Sequence, residues 1–594
     1  MTFENRKDIP VEYTWDLTAI YADEKAFNKE YDLAKELIEK VPQYKGRLND
    51  KATILEGYKL MTDISKPLSR LGCYASLKNA EDSKNTDAQA LLEKVMRLYV
   101  VFGEVSSFVE PEITALPEKT IDDMMADPDF SDYTVSLRKI KAGKAHVLSE
   151  KEEEMLNGLG DVTRFFRETF SRLNNGDLDF GTIEIDGKPV HITHGTYSAL
   201  MNDKRQDVRE AAFNSLYTAY KGMINTITGL YTGNVKNDCT VAKLRHFDSA
   251  SQKALFYEEV DKKVYDNLIE GVNANLKPLH DYMALRKKVL KLENLNMYDL
   301  HFPMFENADI CLEFDDAFKL VKEGLHPLGK DYQDLLQRAY DERWIDVYEN
   351  AGKRSGAFSM GVPGRHPFVM LNYQKTVHDV FTIAHELGHS LHSWFSDQNQ
   401  PFDKADYTIF VAEVASTTNE VLLLNYLLKT EKDENIRKFL MSYYLDMIRT
   451  TFYRQSMFAE FEDVAHNMVE TGKPFNYQTL SDEYYALNKK YYGDAVTHND
   501  FIRYEWARIP HFYTSFYVYK YATGITCAVN IAKRILSEGE PAVRDYKKFL
   551  STGCSLDPVS ELKIAGVDLT QTKPFEVIAD DFKKYLAELT ELCR

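Results

Sequence analysis

The chain runs to 594 residues, 44% of them hydrophobic and 28% charged, with a formal net charge of −19. This is a globular composition on a length too great for one compact core, and the acidic excess argues against nucleic acid or an anionic membrane as principal partner. No run of about 18 uninterrupted apolar residues is present to cross a bilayer, the polar start lacks an apolar signal core, and the six cysteines form no Cys-x-x-Cys pair, so the expected address is the cytoplasm.

In chain order, residues from about Glu24 to Val162 carry the 3.6-residue apolar spacing of successive amphipathic helices. Helices are expected over Lys25–Lys40, Ala52–Lys66, Asp87–Phe108 and Ser149–Leu159. The period then changes. Ile183 and Ile185 alternate with polar neighbours ahead of Asp186-Gly187, which predicts a β-hairpin. His191 and His194 follow; three residues apart on a strand they point to opposite faces, so they read as structural rather than metal-binding. Helical spacing resumes from Thr196 through Leu230, over Val260–Leu292 and over Phe314–Leu325. The expected organisation is an N-terminal helical region over 1–195, ending in the hairpin, and a catalytic region over 196–594. Near Ser355 a Gly/Pro-rich loop leads into Phe368–Tyr373, an apolar run of strand length with two equal readings: an edge that hydrogen-bonds an extended peptide, or a strand that closes a small sheet.

The chemistry concentrates just beyond. Thr376 and Asp379 form a capping-box pattern that starts a helix expected to run to about Trp394. That helix carries His385-Glu386-Leu387-Gly388-His389. Histidines four apart lie on one helical face, within reach of a single tetrahedral Zn²⁺, and the intervening glutamate is placed to take a proton from a water on that ion. His392 is about 10 Å along the axis from His385 and cannot share the ion, so it is expected beside the ligands or the substrate. Residue 395 is Phe, so the extended motif with a third histidine is absent. The third ligand should come from beyond Pro401. Asp397, Asp403 and Asp406 lie in or near the connecting loop, and Glu413 and Glu420 on the next helix, one heptad apart. Glu413 sits among small and apolar residues, where a carboxylate without a cation is costly. It is chosen as the ligand, with Glu420 orienting a histidine.

These stretches, with Val11–Leu17 and the segment from Arg508 to Gly524, make the chain resemble the oligoendopeptidase F members of the thimet-type zinc oligopeptidases over nearly its full length. In that family the zinc glutamate follows the second histidine by about 24 residues, as Glu413 does. The resemblance implies a mainly α fold: two helical lobes around a deep substrate channel, with a small β-sheet beside the zinc helix. It implies one Zn²⁺ per chain and unstructured oligopeptides as substrates. It also implies that one histidine and two tyrosines of the later segment act on substrate. That segment concentrates His511, Tyr513, Tyr517, Tyr519 and Tyr521. On a helix Tyr513, Tyr517 and Tyr521 would share a face, and hydroxyl or imidazole donors stabilise the oxyanion of peptide hydrolysis. His511, Tyr513 and Tyr517 are the expected donors. Two rival readings are a zinc carboxypeptidase on a similar channel, and a protein that binds peptides without cutting them.

Overall fold

The computed structural model describes residues 2–305 and 311–594. Helices make up 71% of the chain and strands 4%, which settles the class as mainly α. The chain divides into two compact units, each assembled from three stretches. The first comprises Met1–Ala145, Asp309–Leu427 and Ile531–Val567; the second comprises His146–Ala308, Leu428–Asn530 and Asp568–Arg594. The boundary falls ahead of the hairpin, which belongs to the second unit.

In the first unit the expected helices form, with ends set by side-chain caps. Asp23, Asp50 and Asn85 each accept backbone N–H bonds at the starts of Glu24–Ile38, Lys51–Glu81 and Thr86–Ser106. The second of these is far longer than the expected Ala52–Lys66, because it continues through Pro67. A proline inside a helix loses a hydrogen bond and clashes with the preceding turn. Here Ile64, Leu68, Leu71 and Ala75 on either side of it are all buried in one core, and that packing offsets the loss. The same core takes in Phe27, Trp15, Val362, Phe368 and Met370, so it joins the N-terminal helices to a small sheet.

That sheet has three strands in the order Ile345–Asp346, Phe368–Met370, Phe358–Met360, the first pair parallel and the second antiparallel. Phe368–Met370 is therefore the central strand, fully buried and paired on both sides. Of the two readings, this rules out the free edge and leaves a strand within a small sheet. A continuous apolar run marks a strand covered on both faces; the edge is the half-buried Phe358–Met360, which pairs on one side only among the described residues.

In the second unit the hairpin pairs Thr182–Ile185 with Lys188–His191. Asp186 and Gly187 both take positive φ, 53° and 73°, as a two-residue type I′ turn requires. His191 is exposed on its strand, whereas His194 opens the next helix and hydrogen-bonds Asn174; neither joins a metal-binding group. The long helical stretches expected from Thr196 and over Val260–Leu292 are broken. The first is cut into His194–Leu200, Gln206–Gly222 and Ile224–Leu244, the second into Lys262–Asn273 and Lys277–Val289. Pro278 stands in the first turn of the last helix, where a missing N–H costs nothing.

Candidate metal centre

The helix that bears the two histidines runs Val377–Asn399 and starts on the expected box: Thr376 N–H donates to Asp379 Oδ2 at 2.8 Å, and Asp379 N–H to Thr376 Oγ1 at 3.2 Å. It ends a full turn beyond Trp394. The stop is Gln400, which precedes Pro401 and so disfavours helical geometry. Asp397 consequently lies inside the helix rather than in a loop. Asp403 accepts a hydrogen bond from Thr62, and neither it nor Asp406 joins the ligand cluster.

A second helix, Ile409–Thr430, crosses the first in near-backbone contact. A Cβ added to Gly388 would stand 2.5 Å from Ser416 Cα and 2.7 Å from Ala415 O, so only glycine permits this approach. The crossing is also tied by hydrogen bonds. Asn419 Nδ2 donates to Ala384 O at 3.0 Å, while Tyr332 O–H donates to Asn419 Oδ1 at 3.0 Å. Residues 413 and 420 therefore lie one turn to either side of the contact point and face the histidines.

The result is a group whose ligand atoms from His385, His389 and Glu413 all lie within 4.8 Å of one another. Glu413 Oε2 is 3.3 Å from His385 Nε2 and 3.6 Å from His389 Nε2. Tetrahedral ligands with bonds of about 2.0–2.1 Å to one ion stand roughly 3.3 Å apart, so the spacing fits zinc. His385 Nδ1 donates to Glu420 Oε1 at 2.6 Å, which fixes the tautomer and leaves Nε2 free to ligate. Ser416 Oγ donates to Glu413 Oε2 at 3.2 Å and helps hold that carboxylate. The side chains of His385, His389 and Glu413 keep 27%, 18% and 44% of their surface exposed, so a further ligand has access.

The electrostatics suit a cation. Burial works against charge on His385, yet its hydrogen bonds to Glu413 and Glu420 prevail and raise the imidazole to about 10. Burial likewise works against ionised Glu413, and the two histidines hold it well below the ordinary carboxylate range. A divalent ion would take over the positive charge that these two carboxylates otherwise draw onto His385. Glu386 is only 6% exposed, its Oε2 has no hydrogen-bond partner, and burial raises its carboxyl. A buried orphan carboxylate oxygen next to three ligands is what a proton acceptor for a water in the site requires.

His392 is a core residue rather than one open to substrate. It is 1% exposed, stacked on Tyr407 at 3.7 Å between ring centres, with Phe549 at 5.4 Å. Burial lowers its imidazole to about 3, so it is a neutral core residue.

The later segment belongs to the second unit and is less regular than expected. Short 3-10 turns over Asp500–Arg508 and Pro510–Tyr513 precede Phe516, which takes a positive φ of 59°, and a helix begins only at Tyr519. Tyr513 therefore shares no face with Tyr517 and Tyr521. It is 7% exposed, stacked on Phe170 at 4.3 Å, and its hydroxyl has no partner. Tyr519 is buried and donates to Glu258 at 2.8 Å. The rings that do gather are His511, Tyr517 and Tyr521, with centres 5.6–6.3 Å apart. The device behind this arrangement had no sequence signal: fully buried Glu462 accepts the Phe516 N–H at 3.0 Å and pins the strained residue.

Comparison with known proteins agrees with this architecture. Residues 199–579 match the family described as Peptidase family M3, and residues 112–180 match Oligopeptidase F. Oligopeptidase PepF of Bacillus subtilis is 39% identical over 99% of this chain and 88% of its own. An oligoendopeptidase F homolog of Lactococcus lactis is 38% identical over 99% and 98%. The crystal structure of oligoendopeptidase-F from Enterococcus faecium superposes with a TM-score of 0.74 at 35% identity, covering 96% of this chain and 99% of that one. A putative peptidase structure from Chlamydophila abortus reaches 0.94 at 32% identity, covering 99% and 100%. The chain belongs to peptidase family M3, within its oligoendopeptidase F group.

Proposed function

We propose that this chain is a zinc-dependent endopeptidase that hydrolyses internal bonds of short, unstructured oligopeptides. One observation carries the reading. His385 and His389 converge on Glu413, Glu420 fixes the first imidazole, and the orphan carboxylate oxygen of Glu386 lies in the next position along the helix. Pure peptide binding needs neither the converging ligands nor a buried base.

His385, His389 and Glu413 hold the ion. When bound, zinc supplies Lewis acidity, which acidifies a water and polarises the scissile carbonyl. Glu386 accepts the proton of the attacking water, its raised pKa making it a better base than an exposed carboxylate, and then delivers that proton to the leaving amine nitrogen. The oxyanion that develops calls for neutral donors. His511 and Tyr517 are assigned that role, and the ring cluster adds Tyr521 in place of Tyr513. The half-paired strand Phe358–Met360 offers main-chain groups to an extended peptide. Ser359 Oγ lies 2.8 Å from Ser390 Oγ, which ties that strand to the histidine-bearing helix.

The test is metal analysis of the purified protein together with cleavage-site mapping on a mixed peptide library. One zinc per chain and cuts at internal bonds are expected. Stepwise loss of C-terminal residues would move the assignment to a carboxypeptidase, and tight peptide binding with no zinc-dependent cleavage would overturn it.

A further inference from the structure

The second unit holds a cluster of guanidinium groups with no part in the chemistry above. Arg454 forks onto Glu505, with nitrogens 2.7 and 3.3 Å from the two carboxylate oxygens, and Tyr484 O–H also donates to Glu505 at 2.5 Å. Arg449 Nε donates to Asp446 at 2.8 Å, and the same carboxylate receives Arg286 at 3.1 and 3.2 Å. Both carboxylates are thereby committed. Arg508 has no such partner: among the described residues none forms an ion pair with it, and it donates to the phenolic oxygens of Tyr217, at 3.3 Å, and Tyr197. Its guanidinium otherwise rests over the rings of Tyr197 and Tyr217, 5.2 and 5.9 Å from their centres. Four guanidinium groups thus stand against two carboxylates.

Arginine does not shed its proton, and positive charge withdrawn from water must be met by an anion or by retained solvent. Arg449, Arg454 and Arg508 line one cavity together with His301, Tyr217 and a single carboxylate, the already paired Glu505, and its volume is about 20 Å³. That is room for one occupant the size of a water molecule. Burial, then the charges of Arg449 and Arg454, lower the His301 imidazole to about 3, so histidine adds no cation of its own. The cavity is therefore small and lined by three arginines against one carboxylate.

We propose that the cavity bounded by Arg449, Arg454 and Arg508 binds a small monovalent anion, a halide or a single carboxylate group, with Arg508 as its principal counter-charge. Its size admits at most the carboxylate head of a larger molecule and excludes phosphate esters. Arg454 and Arg449 contribute field while remaining paired, and Arg508 gains the partner it lacks. The cavity belongs to the second unit and does not depend on the hydrolytic reading.

Crystals of the full-length protein grown in bromide test this through anomalous scattering. A bromide peak within hydrogen-bond reach of the Arg508 guanidinium is expected. In R508Q the bromide concentration needed to fill the site should rise by about tenfold or more; R508K, which keeps the charge but not the planar fork, should fall between the two. Displacement of bromide by an acetylated dipeptide acid, but not by its C-terminal amide, identifies a carboxylate as the occupant; displacement by neither identifies a halide. Absence of a peak in the wild-type cavity overturns the proposal even if R508Q does not fold, and equal bromide occupancy in wild type and R508Q overturns it as well.

Discussion

The metal centre of the first unit and the donor segment of the second are built on opposite principles. His385, Glu386, His389, Glu413 and Glu420 sit on two regular helices locked at Gly388, so their spacing along the chain translates directly into spacing in space. His511, Tyr517 and Tyr521 sit across two 3-10 turns, a left-handed Phe516 and the start of a helix, so their spacing along the chain says little about where the rings lie. Regular elements position ligands that must meet within tenths of an ångström. An irregular loop held by a buried carboxylate carries the proposed donors.

The largest effect should come from breaking the regular side. Glu413→Ala removes a ligand and should abolish stoichiometric zinc, with activity falling to background; metal analysis and peptide turnover report both. On the irregular side, Tyr521→Phe or Tyr517→Phe should lower kcat by about 10²–10³-fold if the hydroxyl donates to the oxyanion. Tyr513→Phe should leave kcat within a few-fold of wild type, because its hydroxyl is buried without a partner. Steady-state kinetics on one fluorogenic peptide ranks the three, and a Tyr513 effect as large as that of Tyr521 would invert the comparison.

The contrast explains what the sequence makes legible. A 3.6-residue period carries the His385/His389 pair and its capping box directly. The small, apolar neighbours of Glu413 mark it as facing inward, although its side chain keeps 44% of its surface exposed. The strand at Phe368 was visible as an apolar run, but its place at the centre of the sheet depends on partners at Ile345 and Phe358 that no local pattern marks. The passage of a helix through Pro67 depends on tertiary packing, and the turn at Phe516 uses neither glycine nor asparagine, so both escape a local reading. Tyr513 was misplaced for that reason: helical spacing was applied to a stretch that is not helical.

Smaller perturbations sharpen the regular side further. Glu420→Gln keeps the shape but weakens the bond that orients His385, and zinc affinity should drop by about 10–100-fold in a chelator competition. Gly388→Ala forces a methyl group against the Ser416 backbone and should cost about 1–3 kcal/mol in denaturant unfolding. It should also loosen zinc, because the helix that carries Glu413 is displaced.

The most direct test is Glu386→Gln, assayed for zinc content and for turnover of a quenched fluorescent peptide in the same preparation. Zinc should remain at one per chain while kcat falls by about 10²–10⁴-fold, the range expected for loss of a general base. Retained turnover at full zinc occupancy would contradict the role given to Glu386, and with it the account of how this site cleaves a peptide.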